Sequence, residues 1–126
     1  MKVPEDRWYT KDHEWALREP GGQVRVGITD YAQDALGDVV YVELPTPGTV
    51  VTEGESCGEV ESTKSVSEIY APVPGTIAEV NTELPEAPQR VNEDPYDTGW
   101  MFIVQTADET AFENLLDAAA YTALIS

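Results

Sequence analysis

The sequence predicts a mainly β protein, a sandwich or barrel with short helices at its margins. Three stretches carry that reading: VRVGI (24–28), VVYVEL (39–44) and WMFIV (100–104) are dense in the β-branched and large apolar residues that strands favour. Between them stand turn signals rich in Pro and Gly. A short repeat supports the same architecture. Pro47-Gly48-Thr49-Val50 returns as Pro74-Gly75-Thr76-Ile77, each copy a tight turn entering a β-branched pair. The repeat suggests two similar β halves folded about a hairpin. With 126 residues, 41% of them hydrophobic, the chain is expected to form one domain, 1–126, with a real core.

The elements follow in order. TDYAQDALG, between the first two strands, reads as a short helix: Thr29 or Asp30 caps it, Gln33 completes a capping box with Asp30, and Gly37 stops it. Pro45, Pro47 and Gly48 mark a turn. GESCGEVES and SVSEIYAPV then read as a strand and its return, with Ser62-Thr63-Lys64-Ser65 as the turn between them. That turn lacks the Asn-Gly signal of the commonest hairpins. Residues 81–99, rich in Pro, Asn and Asp, read as a long surface connection, a place where function often resides. After the last strand, Thr106 and Glu109 form a capping-box pattern, and Phe112, Leu115, Leu116 and Ala119 fall at helical spacing. Asp117 is placed to cap a second short helix over 118–124.

Composition excludes several functions. The formal net charge is -17, from 7 Lys and Arg against 24 Asp and Glu. Nucleic-acid binding depends on neutralising phosphates with Lys and Arg, and anionic membranes attract the same residues. Neither partner is expected, whereas partners with positive surfaces are. Cys57 and His13 are the only residues of their kinds, so no disulfide within the chain and no Cys/His metal site is expected. Cys57 reads as a structural residue and His13 as structural or merely surface, and no catalytic set emerges. No apolar run approaches the roughly 20 residues of a membrane-spanning helix. The opening MKVPEDRWYTKDHEW resembles neither a secretory signal nor a transit peptide, so a cytoplasmic location is expected.

Lys64 is the conspicuous residue. It is the only cationic side chain between Arg25 and Arg90, in an interval crowded with carboxylates. It can be a solvated turn residue or a weak surface ion pair. A Schiff-base lysine needs burial or a neighbouring cation, and Glu59, Glu61 and Glu68 argue against that role. A fourth role is anchoring a swinging cofactor: the amine protrudes on a stiff tip, away from competing amines, and the cofactor carries the chemistry.

Five blocks then resemble, in order and nearly end to end, the H proteins of the glycine cleavage system. They are YTKDHEW (9–15), VGITDYAQDALGDVVYVELP (26–45), VVTEGESCGEVESTKSVSEIYAPVPGTIAEVN (50–81), VNEDPYDTGW (91–100) and FENLLDAAAY (112–121). The turn around Lys64 and the APVPG segment resemble lipoyl domains generally; the ITDYAQ and NEDPY blocks are specific to the H family. Biotin carriers usually flank their lysine with methionines, and 2-oxo acid dehydrogenase lipoyl domains put an aspartate before it. Here Thr63 and Ser65 stand at those places, a departure from the small flanking residues commoner in the H family itself.

The resemblance implies a lipoyl-domain-like fold (barrel-sandwich hybrid, or hammerhead) with flanking helices, two of them C-terminal. It implies a non-catalytic carrier with lipoic acid joined to Lys64 as N6-lipoyllysine. Such a carrier takes an aminomethyl group from glycine decarboxylase (the P protein) to the tetrahydrofolate-dependent aminomethyltransferase (the T protein), within one-carbon metabolism. Dihydrolipoyl dehydrogenase (the L protein) reoxidises it, and a lipoate ligase or the lipoyl synthase system modifies it. Glu14, Tyr31 and Glu68 are the candidates for a cleft that shelters the loaded arm. The alternative function is a lipoyl domain or lipoate-relay protein serving 2-oxo acid dehydrogenases.

Overall fold

A computed structural model describes the whole chain, Met1–Ser126. The strands are β1 (Trp8–Tyr9), β2 (Glu14–Glu19), β3 (Gln23–Ile28), β4 (Val39–Glu43), β5 (Val50–Val51), β6 (Ser56–Ser62), β7 (Val66–Tyr70), β8 (Gly75–Val80) and β9 (Phe102–Gln105). The helices are α1 (Asp30–Leu36), α2 (Arg90–Glu93) and α3 (Ala118–Ile125). Two antiparallel sheets result, one ordered β1-β2-β3-β9-β8-β5 and the other β4-β6-β7. Their inner faces share one core, to which Val26 and Val104 contribute from the first sheet and Val42, Val60 and Ile69 from the second. A satellite aromatic cluster, Tyr9, Trp15 and Tyr121, ties α3 to the first sheet.

The mainly β expectation holds, and so does the α1 helix. Thr29 is its N-cap, accepting from Ala32 N, and Gly37 ends it at φ 83°. Gln33 does not reach back to a backbone N–H as a capping box requires; its Nε2 donates to Asp30 Oδ1 at 2.7 Å. The two Pro-Gly-Thr copies meet: Val50 lies opposite Thr76, and Ile77 N donates to Thr49 O at 2.8 Å. The repeat is therefore an antiparallel pair, and the chain between its copies is the β6–β7 hairpin.

Two expectations are corrected. Residues 106–119 do not form a continuous helix; a single 3-10 turn spans Ala111–Asn114. Leu116 instead pairs with Tyr9, each N–H donating to the other's carbonyl at 2.8 Å, and this bridge outcompetes helical bonds at the same residue. Only the second helix forms, with Asp117 accepting from Ala120 N at 2.8 Å. The 81–99 connection is not merely superficial, because it contains α2 and sends Leu84 and Val91 fully into the core.

β1 and β2 carry no strong sequence signal, since Glu, Ala, Leu and Arg in EWALRE are good helix formers. Tertiary pairing overrides that propensity: β2 is held on both sides, by β1 and β3. Trp15 stands opposite Gly27 and lies across it, pinned by Nε1 donating to Pro95 O at 3.0 Å. A Cβ on Gly27 would fall 2.6 Å from the Trp15 ring. Gly27→Ala is therefore expected to cost about 2 kcal/mol, within the usual range for overpacking a rigid site. Thermal unfolding should register a fall of several degrees; an unchanged midpoint would show that Trp15 moves aside freely.

Candidate functional site

β6 and β7 run antiparallel from Ser56↔Tyr70 to Glu61↔Val66 and deliver Lys64 at their closed end. The turn has no glycine, so side-chain bonds shape it. Ser62 N donates to Ser65 O at 2.8 Å, and Ser62 Oγ accepts from Lys64 N at 3.3 Å and Ser65 N at 3.1 Å. Ser62 itself is buried, which anchors the turn, while Thr63, Lys64 and Ser65 are exposed. The salt bridges of the structure, Arg7–Asp6, Arg25–Glu19 and Arg90–Glu83, leave the Lys64 ammonium unengaged. The ion-pair role considered for Lys64 thus falls away. An exposed amine on a hydrogen-bonded tip suits covalent attachment of a long arm.

Beside the tip lies a cleft of about 360 Å³. Tyr31 and Ala35 of α1 form one wall, Ser65 of the turn and Val66 to Ile69 of β7 the other, and Asp12 and His13 close one end. Glu68 is exposed on the β7 wall, so it and Tyr31 come together as the sequence suggested. Glu14 does not join them. It faces a neighbouring cavity of about 440 Å³ with Tyr70, and Asp12 borders both spaces.

Glu14 is 1% exposed. Its Oε1 accepts from Thr10 Oγ1 at 2.6 Å and its Oε2 from Tyr70 N at 3.4 Å. Burial pushes its carboxyl from 4.5 up to about 7, against the opposing pull of those two bonds; the charge of Asp12 adds a small upward push. A carboxyl at that value responds to any cation brought near.

His13, which the sequence reading set aside as structural or merely surface, lines the candidate cleft. It adopts φ 70°, unusual for a residue with a side chain. Its Nδ1 shares a hydrogen bond with Tyr121 Oη at 2.8 Å, and Tyr121 Oη also meets Thr29 Oγ1 at 2.7 Å. The ring rests on Tyr31 with centroids 4.7 Å apart, and burial holds its pKa below the ordinary histidine value. A lone histidine before Glu14 gave no local signal for this; only α3 folding back supplies its partner.

The outward face of the second sheet completes the surroundings. One row across β4, β6 and β7 is Tyr41, Glu61 and Val66; the next outward row is Glu43, Glu59 and Glu68. Tyr41 and Val66 are about half exposed, at 49% and 57%. Like charges directly opposite one another weaken a sheet, so this acidic row is a cost to stability.

A family model described as Glycine cleavage H-protein matches residues 7–126. The chain belongs to the glycine cleavage H-protein family. The glycine cleavage system H protein of Anaeromyxobacter sp. (strain K) is 55% identical over 125 residues, covering 99% of this chain and 97% of the relative. That of Thermus thermophilus is 59% identical over 121 residues, covering 96% and 94%. A crystal structure of a glycine cleavage system H protein from Mycobacterium marinum superposes with a TM-score of 0.88 at 49% identity, covering 96% of this chain and 97% of that one. As a glycine cleavage H-protein, the chain is the lipoyl carrier of that system and not itself an enzyme, and its partners belong to the same system. The lipoyl-domain-like fold with C-terminal helix agrees with the solved relative. No helix is long and apolar enough to cross a membrane.

Proposed function

We propose that residues 1–126 act as one cytoplasmic lipoyl-bearing domain whose Lys64 carries lipoic acid as an amide. In this role it passes the aminomethyl group of glycine from the P protein to the T protein and returns to the L protein for reoxidation. The observation that supports this most directly is the exposed, unpaired Lys64 amine on a turn fixed by Ser62. When bound, the lipoyl group supplies a dithiolane that accepts the aminomethyl cargo and the electrons of glycine oxidation. The protein presents the amine, orients the tip and shelters the cargo. Intact mass after co-expression with a lipoate ligase tests the reading. One lipoyl increment mapped to Lys64 is expected; a biotin increment, or none, would overturn it.

The cargo is cationic, and its shelter follows from that charge. Glu68 and Asp12 bring negative charge to the cleft, the tilted rings of Tyr31 and His13 meet where its wall and end join, and the apolar flank of Ala32, Ala35 and Ile69 limits water. Glu14 acts from the adjoining cavity as a buried acid that ionises when the cation approaches. Glu68→Gln keeps the shape and removes one charge. Release of formaldehyde and ammonia from the loaded protein should then rise about two- to fivefold, as the loss of a partly exposed charge pair implies. Equal release from wild type and variant would leave Glu68 a surface charge.

The row Glu43, Glu59 and Glu68, beside a row in which Glu61 separates the exposed Tyr41 and Val66, offers partners an acidic face with two apolar side chains next to the tip. Complementary surfaces on the P, T and L proteins and the ligase are expected to be positive around the entrance for the arm.

A further inference from the structure

We infer that Asn92, in the connection between β8 and β9, aims the Lys64 tip. This positioning role rests on the reading of Lys64 as the acylated residue. Asn92 Nδ2 donates to Gly37 O at 2.9 Å and to Gln33 Oε1 at 3.0 Å, and its Oδ1 accepts from Val39 N at 2.9 Å. Both donors and the carbonyl of one amide are thereby engaged, which fixes the side chain's orientation.

The bonded backbone groups lie immediately before and after Asp38, at the corner where α1 gives way to β4. Asp38 O, held between them, accepts from Thr63 N at 3.1 Å. Thr63 directly precedes Lys64, and this is the turn's backbone bond to the body of the protein outside β6 and β7. The stem of Lys64 also runs along the corner: a Cβ on Gly37 would lie 3.4 Å from Lys64 Cε.

Two neighbouring features leave this corner in need of an external support. Gly37 leaves the helix at φ 83°, so α1 does not continue into it. The β4–β6 ladder is irregular between Val39 and Tyr41, next to Ser62. The bonds inside the turn, all centred on Ser62, set its shape but not its direction. Direction comes through Thr63 N, Asp38 O and the clamp that Asn92 places on either side of Asp38.

Asn92→Asp is nearly isosteric and keeps the bond from Val39 N, but turns an oxygen toward the two oxygens that Nδ2 serves. Amide hydrogen exchange in the unmodified protein should show Thr63 exchanging about tenfold faster or more, the change expected when a hydrogen bond of ordinary net strength loses its support. Ser62, Lys64 and Ser65 amides, bonded within the turn, should change far less. With lipoate, ATP and a lipoate–protein ligase, the KM for the unmodified protein should rise about threefold or more at unchanged kcat, because the competent orientation loses population. Asn92→Ala, which removes the clamp without adding charge, should behave alike and serves if the aspartate variant folds poorly. Val91→Ala, a core change one residue away, is the control for general destabilisation and should raise neither quantity selectively. Exchange that rises equally throughout the turn, or a KM equal to wild type, would overturn the assignment. Failure of wild type to gain mass at Lys64 would instead refute the acylation reading, with Thr63 exchange still deciding the clamp.

Discussion

Lys64→Arg is expected to abolish the lipoyl mass gain and, with it, glycine cleavage by the reconstituted system. Arginine keeps the positive charge and most of the stem, so electrostatic steering by the tip is preserved. Its guanidinium is not acylated by a ligase that forms an amide with an amine. The fold should be untouched, because the Lys64 side chain is exposed and its ammonium holds no salt bridge. Surface substitutions of that kind stay within about 0.5 kcal/mol of wild type. The chain has two other lysines: Lys2, close to the N-terminus, and Lys11, in the turn between β1 and β2, which lacks the Ser62-centred bonds that shape the Lys64 tip. Lipoylation of either in the arginine variant, with residual cleavage, would show that the turn does not specify the site.

Glu14→Gln is expected to stabilise the protein at pH 8 while leaving it nearly unchanged at pH 4. The folded carboxyl titrates at about 7 against an ordinary 4.5, because burial disfavours its charged form. Between those values the folded protein keeps a proton that the unfolded chain releases. The contribution of Glu14 to stability is therefore fully present below about pH 4.5, falls as pH rises through the window, and is lost above about 7. The displacement corresponds to a term of order 3 kcal/mol. Glutamine removes the ionisation and keeps the bond from Thr10 Oγ1, losing only the long contact from Tyr70 N. Urea unfolding of both proteins from pH 4 to 8 isolates the term as the difference between two curves, since the other carboxylates are common to both. Parallel curves would mean that Glu14 is solvated and titrates like a surface acid. The buried acid also suits a carrier of cations: a group only partly ionised near neutral pH while no cation is near ionises more fully when one enters.

Much of the architecture was legible because its local signals and its tertiary contacts agree. β3 and β4 are rich in β-branched residues, α1 begins at a capping threonine, and Asp117 caps α3. The failures fall where they conflict. EWALRE has helical propensity but becomes β2 between two partners. Leu115 and Leu116 have helical spacing, yet the backbone bridge from Leu116 to Tyr9 prevents the helix. Leu84 and Val91 lie in a segment whose Pro, Asn and Asp content signals surface, but their side chains fill the core.

The candidate site divides in the same way. The sequence by itself singled out the lysine proposed for attachment, the hairpin that carries it and the excess of negative charge, because a turn, its flanking strands and a charge count are all local or additive properties. Only the tertiary structure decided which residues stand around that lysine. It set Glu14 apart from Tyr31 and Glu68, placed His13 between Tyr31 and Tyr121, and brought Asn92 to the corner beneath Thr63. Those contacts join residues far apart in the chain, and no local periodicity encodes them. They arise when the two sheets close on a shared core and the 81–99 connection and α3 fold back against it.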